Sequence, residues 1–175
     1  FIKDKTKAAK APPKEVQNLY SMAIYQFFEE NGVDRVKSIE ETYFNDISNF
    51  LQTRVASGKT FDEAVEEVQK IVNKKNFYDW QAARIVRTET TAASNYSAVT
   101  AGKVSSYKTI KVWISHLDER TRTSPFDHVA MNGKVVMENE KFNVNGNEVL
   151  YPGDPNGAAG NVINCRCAVG VEPYL

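Results

Sequence analysis

All the histidine and cysteine of the chain lies beyond residue 115: His116, His128, Cys165 and Cys167. Two thiolates and two imidazoles are a chemically sufficient tetrahedral set for zinc. The spacing argues the other way. Structural zinc usually takes cysteines with two to four residues between them, whereas Cys165-Arg166-Cys167 sets both sulfurs on one side of an extended segment at a tight bite. The competing reading makes the two cysteines small buried hydrophobes of a last strand running to Val171, with Arg166 outward and His128 hydrogen-bonded to a loop. The spacing favours this second reading, so no cofactor is expected, with zinc on His116, His128, Cys165 and Cys167 as the alternative. A disulfide between cysteines one residue apart strains bridge geometry, which points to a reducing compartment.

A second set is acid–base. His116, Asp118, Asp127 and His128 could pair imidazole with carboxylate, and Arg120 and Arg122 could neutralise phosphate, as a nuclease requires. No nucleophile elbow, phosphate-binding glycine loop or HExxH pattern accompanies them. The residues Asp118-Glu119-Arg120-Thr121-Arg122 also read as a turn whose charges pair internally and whose arginine forks pin loops that lack regular structure. On that reading the protein is not an enzyme.

The elements that must hold these residues follow from periodicity. Residues 1–14 carry Lys3, Lys5, Lys7, Lys10 and Lys14 against one Asp4 and read as a flexible basic arm. Over 15–76, apolar residues recur at spacings of three and four, giving helices over about 16–28 and 36–55 and a third opened by the capping-box pair Thr60 and Glu63. A fourth helix begins near Asp79 and runs towards Gly102 with Arg84, Arg87, Glu89 and Asn95 in it. Taken alone, those polar residues suit a solvated face with ion pairs between turns better than a brace to later loops.

From residue 109 the period becomes alternating, with Ile110, Val112 and Ile114 on one side of a strand and Lys111 and Trp113 on the other. Asn132-Gly133 and Asn145-Gly146 each signal a hairpin. Ser124-Pro125 could cap a short helical turn carrying His128, and residues 151–161 are too rich in Pro and Gly for anything but loop. The fold class is therefore α+β: an N-terminal helical region, then a small antiparallel sheet module with long loops over 77–175. The 22 basic and 22 acidic residues cancel, so no global field draws the chain to nucleic acid or anionic lipid. No apolar run approaches the roughly 20 residues needed to cross a bilayer, and no signal-peptide pattern is present, so a soluble protein without membrane contact is expected.

Read in order, Arg87-Thr88-Glu89, Asn95, Trp113, Asp118-x-Arg120-Thr121-Arg122, His128, Asn132-Gly133, Pro152-Gly153-Asp154-Pro155 and Asn164-Cys165-Arg166-Cys167 resemble the phage head morphogenesis domain, the family of minor head proteins similar to phage Mu protein F. The resemblance covers about residues 80–170. It implies a structural minor capsid protein of a tailed bacteriophage, made in the host cytoplasm and carried in the virion at the capsid interior or portal. Its implied partners are portal and capsid proteins and packaged or ejected DNA, with no small-molecule substrate; contact with DNA through the basic arm rests separately on the lysines of residues 1–14. It also implies that Arg87, Glu89, Asn95, Trp113, Asp118, Arg120, Arg122, Gly133 and Asp154 are signature positions that brace the domain. Many relatives carry extra cysteines after the Asp-x-Arg-Thr stretch, implying a metal in those members, where this chain has Arg122 and Pro125. The alternative function is a phage-associated nuclease or toxin module using His116, Asp118 and His128.

Overall fold

The computed structural model describes residues 22, 23, 26, 27, 30 and 50, then 60–72 and 79–174. The basic arm lies outside the described residues, as do most positions of the two helices read over 16–28 and 36–55. Helix α1 (Phe61–Val72) starts on the capping box: the Thr60 backbone N–H donates to Glu63 Oε2 at 2.7 Å and the Glu63 N–H to Thr60 Oγ1 at 3.3 Å. Two otherwise orphaned helix donors are thereby satisfied. Helix α2 (Asp79–Lys103) is 25 residues long, or about 37 Å, and serves two cores in succession. Its first half packs Ala82, Val86, Ala92 and Ala93 against Phe27, Ala64 and Val68. Its second half presents Val99 to the sheet module. Small residues let backbones come close, and a Cβ on Gly102 would stand 2.5 Å from Val171 Cγ1.

Among the described residues every strand lies between Thr109 and Pro173, so the fold is α+β with helix first and sheet after. Strand β1 (Thr109–Ile114) is central, flanked antiparallel by β2 (Val135–Met137) and β5 (Ala168–Pro173). Lys111 pairs with Val136 on one side and Val171 on the other. A separate hairpin joins β3 (Phe142–Val144) to β4 (Asn147–Val149), turning on Asn145 and Gly146 at φ 47° and 84°. Both positive φ values are those of a type I′ turn, as the Asn-Gly pair foretold. A short α3 (Ala159–Val162) precedes β5.

Several expectations are corrected. Asn132-Gly133 closes no tight two-residue hairpin, because β1 and β2, consecutive and antiparallel, are joined through the long connection of residues 115–134. Instead the Lys134 N–H bonds to Met131 O, and only Gly133 takes positive φ (75°) while its N–H reaches Trp113 O. No helical turn forms at 124–128, where Asp127 Oδ1 accepts from the Ala130 N–H in a side-chain-closed turn. The 151–161 segment does contain a helix, and β5 begins after the cysteines rather than at Cys165. On β1 the alternation holds but the polar-looking side faces inward: Thr109, Lys111 and Trp113 are buried while Ile114 is 48% exposed. Lys111 reaches the interior because Nζ donates to Glu140 O and Leu150 O at 2.6 and 2.9 Å and sits 5.6 Å from the centre of the Phe142 ring.

Candidate functional site

The polar residues of α2 turn out to be anchors for loops 57 to 77 residues later. Arg87 Nη1 donates to Asn164 Oδ1 at 2.5 Å, and the Asn164 N–H donates to Thr88 Oγ1 at 2.8 Å. Asn95 is buried: its Nδ2 donates to Pro152 O and Cys167 O at 2.7 and 3.0 Å, and its Oδ1 accepts from the Val169 N–H at 3.0 Å. The reading of this helix face as solvated ion pairs between turns is thus overturned for Arg87, Thr88 and Asn95. Periodicity sees only the helix and not the loop opposite, so nothing local to α2 reveals the partner.

The loops carry matching braces. Asp154, buried, accepts from the Leu150 N–H at 2.7 Å and from the backbone and side chain of Asn156 at 2.9 and 3.0 Å. Asp118 accepts from the Arg120 N–H and Thr121 Oγ1 at 3.0 and 3.1 Å, which makes the expected internally paired turn. Its two oxygens also take both forks of Arg166, at 2.6 and 2.5 Å. Arg166 is therefore an inward partner rather than an outward side chain. This fork, with the Thr121 hydroxyl and Arg120 N–H, holds the Asp118 carboxyl well below the usual carboxylate range. Arg122 donates to the carbonyls of Asn161 and Ile163, tying residues 118–122 to α3.

At the centre His128, Cys165 and Cys167 converge, all buried, with one candidate ligand atom from each lying within 4.8 Å of the other two. His128 Nδ1 is 3.7 Å from Cys165 Sγ and 3.4 Å from Cys167 Sγ. The tautomer follows from a chain of amides. Asn147 Oδ1 accepts from the Ala158 N–H, so the Asn161 Nδ2 beside it at 2.7 Å must donate. Asn161 Oδ1 is then an acceptor, and the His128 Nε2 that approaches it at 2.7 Å carries the proton. The Nδ1 lone pair is left facing the two sulfurs. The ring is further held edge-on by Trp113, at 5.4 Å between centres, and Ser115 Oγ donates to the His128 carbonyl.

The Cys167 N–H approaches Cys165 Sγ at 3.5 Å. Hydrogen bonding from the Cys165 thiol draws the Cys167 thiol down, and the same contact with burial pushes Cys165 up. A cleft of about 100 Å³ reaches all three residues and is lined also by Arg87, Arg120, Arg122 and Arg166. His116 stands on the rim of that cleft outside the three-residue cluster, with its side chain 55% exposed and Nε2 3.7 Å from Asp118 Oδ2. Of the remaining signature residues, Trp113 is buried in the sheet core, Gly133 makes the turn against it, Arg120 is largely exposed and Glu89 is half-buried on α2. Sequence reasoning missed Asn161 and Lys111. A lone Asn in a Pro/Gly-rich loop gives no signal, but a lysine in phase with Trp113 on a strand does.

Helix and sheet around this cluster define an α+β module whose irregular loops are held by side-chain braces rather than by ladders. A family model described as phage Mu protein F like protein matches residues 45–170, extending past the quoted motifs into the helical leader. The chain belongs to that family, the head morphogenesis domain of bacteriophages. No curated protein and no solved structure matches the chain.

Proposed function

We propose that the protein is a structural minor capsid component of a tailed phage, acting in head assembly near the portal through contacts with portal and capsid proteins. Family membership over residues 45–170 carries this reading. The site supports it: Asp118 and His128, two members of the candidate acid–base set, are engaged in bracing, and His116 stands exposed on the cleft rim. Both Asp118 oxygens are engaged by Arg166. His128 gives Nε2–H to Asn161 and turns Nδ1 to the sulfurs. Asp118 is not poised as a general base, because the Arg166 fork engages its carboxylate and holds it low, and the one His128 lone pair is directed at two buried sulfurs. No described helix is long and apolar enough to cross a membrane. Packaged DNA is a further partner in this proposal, contacted through the lysines of residues 1–14.

The test is to localise the protein in intact particles by mass spectrometry of purified virions and by labelling of its C-terminus for electron microscopy. A few copies at the portal vertex are expected, and particles made without the gene should fail in head assembly. Absence from the virion, or cleavage of DNA or RNA by the purified protein that His128→Ala abolishes, would overturn the reading.

A further inference from the structure

We propose that Cys165, Cys167 and His128 bind one zinc ion, with the fourth position of the tetrahedron open to the arginine-lined cleft. Zinc–sulfur and zinc–nitrogen bonds of about 2.3 and 2.05 Å at a tetrahedral angle separate sulfur from nitrogen by about 3.6 Å. The two separations observed are 3.7 and 3.4 Å. Both sulfur–nitrogen separations are thus close to the required size before any ion is added, and the two sulfurs lie within 4.8 Å of each other.

A purely apolar or hydrogen-bonded cluster accounts for these positions less well. With its proton on Nε2, the imidazole offers one lone pair at Nδ1, and two thiols compete for it. One ion uses that lone pair and both sulfurs together. The Asn161 bond to Nε2 is the contact that orients a ligating histidine and fixes its tautomer. The Cys167 N–H directed at Cys165 Sγ supports a thiolate there. Two thiolates balance the charge of a divalent cation, so the surrounding arginines do not oppose it, and two soft sulfurs with an imidazole select zinc over hard cations.

The tight-bite objection assumes a pleated strand. The β1–β5 ladder stops at the pair Ile114 and Ala168, so residues 165–167 lie outside it and their sulfurs are free to turn to one point. The fourth position is assigned to solvent because the cleft touches all three ligands while His116 is turned to Asp118.

Full-length protein purified without chelator should contain one zinc per chain by elemental analysis. Replacement by Co²⁺ should give a sulfur-to-cobalt charge-transfer band and the intense d–d bands of tetrahedral coordination. The double variant Cys165→Ser, Cys167→Ser should lose the metal and His116→Ala should keep it. Asn161→Ala should weaken zinc affinity about tenfold or more. Wild-type protein that takes up neither metal and melts identically with and without chelator would overturn the proposal, as would zinc retained by the double variant. Loss of zinc in His116→Ala would refute the open position. Should the double variant fail to fold, the cobalt spectrum of the wild type decides, since a spectrum without the sulfur band rejects the assigned ligands.

Discussion

Single side chains in this protein do the work that hydrogen-bonded ladders do elsewhere, and Asn95 shows it most clearly. Replacing it by Ala strands two carbonyls and one N–H in a buried position, so a loss of roughly 2–4 kcal/mol is expected in urea unfolding. Lys111 gives a pH signature. Desolvation lowers its pKa from 10.5 to about 8 in the folded chain, so between those values the unfolded chain holds the proton that the folded chain has released. Stability should therefore rise with pH across that window, and rise less in Lys111→Met, as denaturation at pH 7, 8.5 and 10 will read. Asp118 behaves oppositely: its carboxyl is held low, so its contribution is present above the ordinary carboxylate pKa and is lost as pH falls below it. Asp118→Asn should be less stable than the wild type at neutral pH, with the difference shrinking in acid; an unchanged difference would count against the Arg166 fork as its cause.

The elements themselves were mostly legible in the sequence, because each rests on local chemistry. The Thr60–Glu63 box, the extent of α2, the change of period at residue 109 and the Asn145-Gly146 hairpin are set by neighbours in the chain. What was illegible depends on residues far apart. Asn132-Gly133 carries the same dipeptide signal as Asn145-Gly146, yet its Gly133 N–H serves Trp113, about twenty residues earlier, so the turn is spent on a distant strand. The short Cys-x-Cys spacing and the missing extra cysteines argue against zinc in the sequence, which cannot show the position of His128 against the two sulfurs because that depends on Asn161, Trp113 and Ser115 together. Elements also meet at points of no tolerance. Gly153 combines φ 82° with backbone of Ala92 at 3.3 Å from where a Cβ would sit. Gly153→Ala should cost about 1–2 kcal/mol from the backbone conformation alone, and more if α2 cannot yield. A melting temperature equal to wild type would show that the loop relaxes away.

On the scale of the whole molecule, two cores share one helix, and Tyr96 packs against both, with ring centres 5.5 Å from Phe27 and 6.1 Å from Tyr151. Damage to either should be felt in the other. Phe142→Ala, in the sheet core, should cost about 3–5 kcal/mol and reduce hydrogen-exchange protection of α1 as well as of the strands. Protection unchanged in α1 would mean that the halves unfold separately. The pairing of β1 with β5 has a different consequence. It brings the two ends of the sheet segment together, and beyond the ladder the Tyr174 N–H still bonds to Lys108 O at 2.8 Å. Sixty-odd residues thus leave and return through a doorway about one strand spacing wide, near 5 Å. A polypeptide grafted after residue 174 would emerge beside the end of α2, and the segment as a whole has the geometry of a cassette that a recipient protein could accept in place of a single tight turn.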